Sequence, residues 1–187
     1  MVCDQIARSL VKLGYRVDTS VTPFINWKDY QGADFSGFDN HHYRFDSEMI
    51  PALQDGGRLL EVPATIGFLQ GRFALNHRIM QHLEAGVYSK FHLKGILSRL
   101  NLLNKVWLSP ELASAEAMIK LAKRMHKMDA DFLNMSFHST SLLAGFSPFV
   151  TSEQDEMLFL REIERFLTYA TDAGIESMTL SEFEKCV

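Results

Sequence analysis

An apolar run at Phe132–Thr140 ends in a histidine and two hydroxyls that could act in acid–base chemistry. Four of the six residues before His138 are apolar, which predicts a strand buried on both faces. Catalytic groups collect at the carboxyl ends of such strands, and histidine titrates near neutral pH. His138 is therefore the candidate catalytic residue, with Ser139 and Thr140 as candidate substrate-binding residues. The alternative interpretation, in which His138 only makes one structural hydrogen bond, remains open.

Two carboxylates lie on other predicted strands. Asp18 belongs to the predicted strand 15–20, and Glu61 is the one charge in the predicted strand 59–65. A self-contained hydrolase site around His138, Asp18 and Glu61 is one hypothesis. It predicts activity that His138→Ala abolishes and that chelators leave unchanged.

Composition limits the class of protein. The chain has 187 residues, is 47% hydrophobic and carries a formal charge of −4, which fits a single domain over 1–187 with its own core. It lacks the basic excess typical of nucleic-acid binding, and no apolar run is long enough to span a membrane. Without a recognisable signal peptide, the chain is expected to be cytoplasmic.

No metal site is predicted from the chain's own residues. His41 and His42 are adjacent, so in an extended segment they point to opposite sides and are interpreted as solvated loop residues. The cysteines, Cys3 and Cys186, lie near the two ends and form no Cys/His metal motif.

Helical and strand patterns alternate along the chain, which predicts an α/β fold with mainly parallel strands. One helix ends at Gly14, and a second follows Ser109–Pro110. A third begins with a Thr151/Gln154 capping box, ends at Gly174 and carries one apolar face of Leu160, Ile163, Leu167 and Ala170. A last strand is predicted at Ile175–Leu180. The intervening segment, Thr22–Ser47, is interpreted as a functional loop or an excursion of strands.

Five segments, in order along the chain, resemble the polysaccharide deacetylase superfamily (NodB-like, carbohydrate esterase 4), and within it the WalW-like branch. They cover the chain from one end to the other. The segments are Leu13–Val21 (LGYRVDTSV), Leu59–Leu69 (LLEVPATIGFL), Leu108–Ser114 (LSPELAS), Met135–Leu143 (MSFHSTSLL) and Met178–Glu182 (MTLSE).

The resemblance implies a distorted (β/α)7 barrel that removes acetyl groups from N-acetylated carbohydrate with a divalent metal, usually zinc. In that family one aspartate and two histidines hold the metal, which activates water and polarises the amide, and a neighbouring aspartate is the base. His138 matches the general acid that protonates the leaving amine. Asp18, Thr19 and Ser20 match a strand end that borders the cleft, and Glu61 is a further substrate-binding candidate.

The family's paired-aspartate, metal-histidine and arginine motifs fall upstream of the segment that corresponds to Met1. The chain thus resembles the C-terminal portion of the barrel, an incomplete domain whose exposed strand edge and apolar face favour self-association or a partner that supplies the missing half. The leading hypothesis is a deacetylase completed by a longer natural chain or by a partner. The alternative is a non-catalytic, truncated remnant that binds carbohydrate or protein.

Overall fold

The structure is a computed structural model that describes residues 4–45, 57–84 and 102–187. The described residues form two compact units. The first unit consists of the described residues within Met1–Thr65, Ala130–Met135 and Leu167–Val187, and the second of those within Ile66–Asp129 and Ser136–Phe166. Cys3 lies outside the described residues, as does the end of the Thr22–Ser47 segment. No helix in the described part of the chain is long and apolar enough to cross a membrane.

Helices and short strands follow one another along the described chain, giving a mixed α and β fold without a closed barrel in these residues. In chain order they are α1 (Asp4–Lys12), β1 (Val17–Asp18), β2 (Tyr43–Phe45), β3 (Leu59–Glu61), β4 (Ile66–Phe68), α2 (Phe73–Glu84), β5 (Lys105–Trp107), α3 (Ala115–Lys127), α4 (Glu153–Asp172) and α5 (Leu180–Cys186). Two 3-10 turns occupy Lys28–Tyr30 and Ser139–Leu142.

The sheet of the first unit has β3 at its centre, parallel to β1 and antiparallel to β2. Side chains alternate across a strand, so β3 presents successive residues to opposite faces. Leu59 packs with Ala7 of α1, whereas Leu60 packs with Phe183 of α5. Burial on both faces explains why Leu59 and Leu60, at successive positions of β3, are both apolar.

The second unit contains β4 and β5, which pair antiparallel, together with α2, α3 and the larger part of α4. The predicted α3 is confirmed, and it buries Met118, Leu121 and Met125. Its start was placed too early, because the helix begins after Ser114, whose hydroxyl accepts the Ala117 N–H at 3.4 Å. Ser109 and Pro110 lie instead in a turn, which leaves Glu111 outside the helix.

The predicted strands were wrong in length and in pairing direction. Residues 132–138 form no β-strand: the segment makes isolated main-chain bonds, from the Thr65 N–H to the Asn134 carbonyl (3.1 Å) and from the Ser136 N–H to the Leu108 carbonyl (3.2 Å), while the Asn134 N–H donates to the Thr65 side-chain oxygen (2.8 Å). Residues 175–179 form none either, and α5 begins at Leu180. Only β1 and β3 pair in parallel among the described strands. The Thr22–Ser47 segment supplies β2 to the sheet.

The long helix α4 ends as predicted, but only Ile163 and Ala170 of the predicted apolar face are half-buried. Gly174 has a φ of +71°, and the Ile175 N–H donates to the Ala170 carbonyl at 2.9 Å. Leu160 and Leu167, on the predicted apolar face, are exposed, while Phe159 and Phe166, each one residue earlier, are buried. The larger aromatic side chains gain more from burial, which rotates the helix by one residue.

The capping box of α4 is Ser152 with Asp155, one residue later than the predicted Thr151 and Gln154. The Asp155 N–H donates to the Ser152 hydroxyl (3.2 Å), and the Ser152 N–H donates to the Asp155 carboxylate (3.0 Å).

Removing this cap should destabilise the helix. We expect Ser152→Ala to lower the free energy of unfolding by about 1 kcal/mol, because the Asp155 N–H loses its acceptor. Gln154→Ala, at an exposed position in the same turn, is the matched control and should change little. Urea unfolding followed by circular dichroism measures both. A larger effect of Gln154→Ala than of Ser152→Ala would support the predicted Thr151–Gln154 cap instead.

Candidate functional site

Two loops of the second unit bring a carboxylate to His138. After β5, a tight turn closed by the Ala113 N–H on the Ser109 carbonyl (2.9 Å) turns Glu111 inward. His138 begins the 3-10 turn Ser139–Leu142, and its carbonyl accepts the Ser141 N–H at 2.9 Å. The Glu111 side chain is only 4% exposed, whereas that of His138 is 72% exposed.

Glu111 holds both the main chain and the ring of His138. Its Oε1 accepts the His138 N–H at 2.9 Å, and its Oε2 lies 2.9 Å from the ring Nδ1. An ionised carboxylate can only accept, so Nδ1 carries the proton that it donates. The lone pair of a neutral ring then lies on Nε2, which no group among the described residues hydrogen-bonds. The geometry is that of a carboxylate–histidine pair with its reactive nitrogen directed outward.

Two serines extend the hydrogen bonds behind the pair. Ser141 donates to Glu111, and the Ser147 hydroxyl lies 2.9 Å from that of Ser141. Since the single Ser141 proton goes to the carboxylate, Ser147 is the donor in the second contact. Ser147 in turn accepts the Val150 N–H at 3.2 Å. This series of hydrogen bonds fixes the Glu111 carboxylate, because its last member, Ser147, is itself held by a main-chain N–H.

The charge state of Glu111 suits this role. Burial alone would raise its pKa, but the hydrogen bonds from Ser141 and His138 outweigh that effect and hold the pKa of Glu111 below its usual value. It is therefore ionised at neutral pH. The His138 ring also stacks on Phe149, with centroids 6.0 Å apart and an interplanar angle of 12°. Carboxylate and aromatic ring together fix the orientation of the imidazole.

The predicted substrate-binding residues of this loop, Ser139 and Thr140, are exposed in the turn that follows His138. The Thr140 carbonyl accepts the Leu143 N–H, which closes the turn. Both residues follow His138 directly in the sequence and are exposed at the surface. Substrate binding by them stays a prediction.

The other predicted site residues gather in the first unit. Asp18 pairs with Glu61 across β1 and β3, and Tyr43 pairs with Glu61 across β2 and β3, so the three lie side by side. Glu61 is 0% exposed and accepts the Val21 N–H at 2.9 Å. Ser20 donates to Asp18 at 2.9 Å, whereas Thr19 is exposed. Substrate binding at the buried carboxylates stays a prediction that would require this cluster to open.

Burial and repulsion act on the buried carboxyl pair. Desolvation, followed by the negative charge of Asp18, raises the pKa of Glu61 to about 9. One oxygen of each carboxyl and the Tyr43 hydroxyl have no hydrogen-bond partner among the described residues. A proton on Glu61 can be shared with Asp18, which satisfies both free oxygens at once. At neutral pH Glu61 is therefore protonated.

Of the two loop histidines, His41 matches its interpretation as a solvated residue, whereas His42 does not. His41 is exposed and pairs with Asp39 at 2.9 Å, as expected of a solvated residue. The His42 ring lies against Phe132 and Phe183, at 6.3 Å and 5.7 Å between centroids, so it is partly buried and packed. The two rings point to different surroundings, in agreement with the extended segment predicted for them.

The described residues do not fit a metal centre of the kind that the resemblance implies. Within the three described ranges, no group of three or more His, Cys, Asp or Glu side chains is placed to hold a metal ion. Asp18 and Glu61 bring two carboxyl groups together, but burial and the Asp18 charge raise the pKa of Glu61 to about 9, which disfavours the ionised form that a cation would bind.

Comparison with known proteins adds no family assignment: no protein-family model, curated protein or solved structure matches the chain.

Sequence reasoning proposed His138 as a site residue but did not point to its contacts Glu111, Ser141 and Phe149. Glu111 lies 27 residues before its partner, behind a Ser-Pro pair that was interpreted as the start of a helix. A signal was nevertheless present, since Leu108–Ser114 is one of the five segments that carry the resemblance and Glu111 is its one charged residue.

Proposed function

We propose that this protein is a polysaccharide deacetylase-like hydrolase of carbohydrate N-acetyl groups, in which His138 is the general acid. The observation that carries the proposal is the pair formed by buried Glu111 and exposed His138. The five sequence segments supply the substrate class by resemblance to the NodB-like superfamily. On this proposal the chain forms part of that family's distorted barrel.

Hydrolysis of an acetamide adds water to the carbonyl carbon and breaks the C–N bond, so the leaving nitrogen must gain a proton. Protonated His138 gives that proton from Nε2 while Nδ1 stays bonded to Glu111. The Glu111 carboxylate stabilises the imidazolium before the transfer and keeps the ring aligned during it. The products are acetate and a free amino sugar.

The metal that the resemblance implies would have to be held by groups outside the described residues, from the same natural chain or from a partner. The steps assigned to this chain are therefore orientation of the leaving group and delivery of a proton. Self-association of the chain is one way in which a second copy could supply what a single copy lacks, and it too belongs to the proposal.

Acetate release from triacetylchitotriose tests the proposal on two samples, the recombinant 187-residue chain and the protein captured from its source cells. Intact mass shows whether the two are the same molecule of 21.3 kDa. We expect equal amounts of acetate and free amine from the captured protein, with release stopped by a chelator. Release that a chelator leaves unchanged would support a self-contained site instead.

The second candidate is a non-catalytic carbohydrate-binding module, and the lack of a metal-holding group among the described residues favours it. It predicts saturable binding of triacetylchitotriose by both samples without acetate release. Absence of both binding and release would contradict both functions.

A further inference from the structure

Exposed apolar side chains cluster in the segment that follows His138, within the second unit. The segment is anchored at both sides, since Ser141 and Val150 are only 0% and 1% exposed. Between these anchors, four large apolar residues are each 42–67% exposed: Leu142, Leu143, Phe146 and Phe149. Single apolar residues at a surface are ordinary, whereas a cluster of them marks a binding surface. We call Leu142–Phe149 the apolar loop.

Hydrogen bonds fix the backbone of the apolar loop. The Gly145 N–H donates to the Val150 carbonyl at 2.9 Å, and Gly145 has a φ of +81°, which closes a tight turn that contains Phe146. On the other side of the glycine, the Ala144 N–H donates to the Glu156 carboxylate of α4 at 2.8 Å. A ligand would therefore meet these side chains on a preorganised support, which lowers the entropic cost of binding.

Phe149 connects the apolar loop to the proposed acid. Its ring lies within 12° of parallel to the His138 ring, with the two centroids 6.0 Å apart. Superposed rings in contact would lie about 3.5–4 Å apart, so these rings are offset and each leaves part of its face uncovered. The exposure of Phe149, at 42%, agrees with this offset. A ligand ring that packs on the uncovered part of Phe149 therefore adjoins the imidazole.

The chemistry of this surface fits a ligand that is apolar on one face and polar at its edge. The sequence from Ser139 to Ser152 contains no charged residue, so the segment offers no fixed charge to an ionic ligand. Ser139 and Thr140, exposed directly after His138, carry hydroxyls that can donate and accept hydrogen bonds. A pyranose ring combines C–H groups on its faces, which pack on aromatic rings, with hydroxyls around its edge. A sugar therefore matches this surface better than a purely apolar ligand does.

We propose that Phe149 and Phe146 form a stacking subsite that binds the rings of an uncharged, N-acetylated oligosaccharide next to His138. This inference rests on the proposed hydrolysis and narrows its substrate class to neutral carbohydrate. Phe149 holds a sugar ring against the imidazole, and Phe146, the more exposed of the two, extends the surface towards a neighbouring ring of the same oligosaccharide. Both residues are specificity determinants, because they bind the substrate without taking part in the proton transfer.

Titration of the 187-residue chain with triacetylchitotriose tests the subsite without requiring turnover. We expect saturable shifts of the Gly145, Phe146 and Phe149 amide NMR signals, with a Kd that rising salt leaves nearly unchanged because the apolar loop carries no charge. Absence of saturation up to about 10 mM sugar would overturn the subsite, as would shifts that leave these three amides unaffected. Self-association of the chain that Phe146→Ala abolishes, without sugar binding, would identify a protein interface instead and overturn it too.

Substitutions test whether the two rings carry the binding. Phe149→Leu and Phe146→Ala should each raise the Kd for triacetylchitotriose about 5- to 10-fold, whereas Phe149→Tyr, which keeps the ring, should leave it nearly unchanged. Met128→Ala is the matched control, because Met128 is 51% exposed and follows the far end of α3, a helix about 20 Å long that begins soon after Glu111. Unchanged Kd in both the Phe149→Leu and Phe146→Ala variants would overturn the proposal.

Kinetics of acetate release separate this subsite from the proposed hydrolysis. Phe146→Ala should raise KM about 5-fold with kcat little changed, because stacking away from the reacting atoms stabilises substrate and transition state alike. Sugar binding at the apolar loop without acetate release would leave the subsite intact and contradict the hydrolysis. Acetate release with an unchanged KM in both Phe146→Ala and Phe149→Leu would leave the hydrolysis intact and overturn the subsite.

Discussion

His138→Ala is expected to lower kcat for acetate release from triacetylchitotriose by about 10²- to 10⁴-fold, the usual contribution of a positioned general acid. Stability should hardly change, because the ring is largely exposed and Glu111 keeps its bonds from Ser141 and from the main-chain N–H at position 138. Steady-state kinetics with urea unfolding measures both quantities. The control is His126→Ala, which removes another exposed histidine of the second unit.

Glu111→Gln separates orientation of the ring from its chemistry. The amide has one acceptor oxygen where the carboxylate has two, so Ser141 and the main-chain N–H compete with the ring for it. We expect kcat to fall about 100-fold through misalignment, with His138 still present. Imidazole ¹⁵N shifts provide a readout without turnover, because wild-type Nδ1 should carry a hydrogen-bonded proton that the variant loses. Near-normal kcat in His138→Ala would show that His138 is not the general acid.

The contrast between His138 and Glu111 illustrates what a sequence can reveal about a site. His138 stands out locally because it ends an apolar run, although residues 132–138 form no strand. Its partner is brought near by a turn at Ser109 and a 3-10 turn after His138, and neither the approach nor the inward direction of Glu111 has a periodic signature. The contact between Glu111 and His138 depends on how two loops pack in three dimensions, so only the structure could reveal it.

The fold shows the same division between local and tertiary information. Gly14 and Gly174 mark helix ends because their positive φ is a local requirement, and both were predicted. Strands of two or three residues, as in Val17–Asp18, are too short to display a period of two, so neither their bounds nor their pairing direction could be predicted. On α4 two apolar stripes were available, and packing selected Phe159 over Leu160.

We expect the wild-type protein to lose stability at high pH and the Glu61→Gln variant to keep it. The pKa of Glu61 is raised in the folded protein from about 4.5 to about 9. The folded state therefore holds a proton that the unfolded chain releases, and its contribution is complete below pH 4.5 and lost as pH rises towards 9. Each pKa unit corresponds to about 1.4 kcal/mol, which sets a ceiling near 6 kcal/mol for the full interval.

The glutamine keeps the acceptor for Val21 and replaces the shared proton with an amide donor towards Asp18, so it is the neutral isostere of the protonated side chain. Urea unfolding at pH 5, 7 and 9 should show the variant gaining on the wild type by up to several kcal/mol as pH rises. Glu61→Ala, which leaves the Val21 N–H without an acceptor, should instead cost about 1–3 kcal/mol at pH 5. A difference between wild type and Glu61→Gln that stays constant with pH would mean that Glu61 is ionised in the fold.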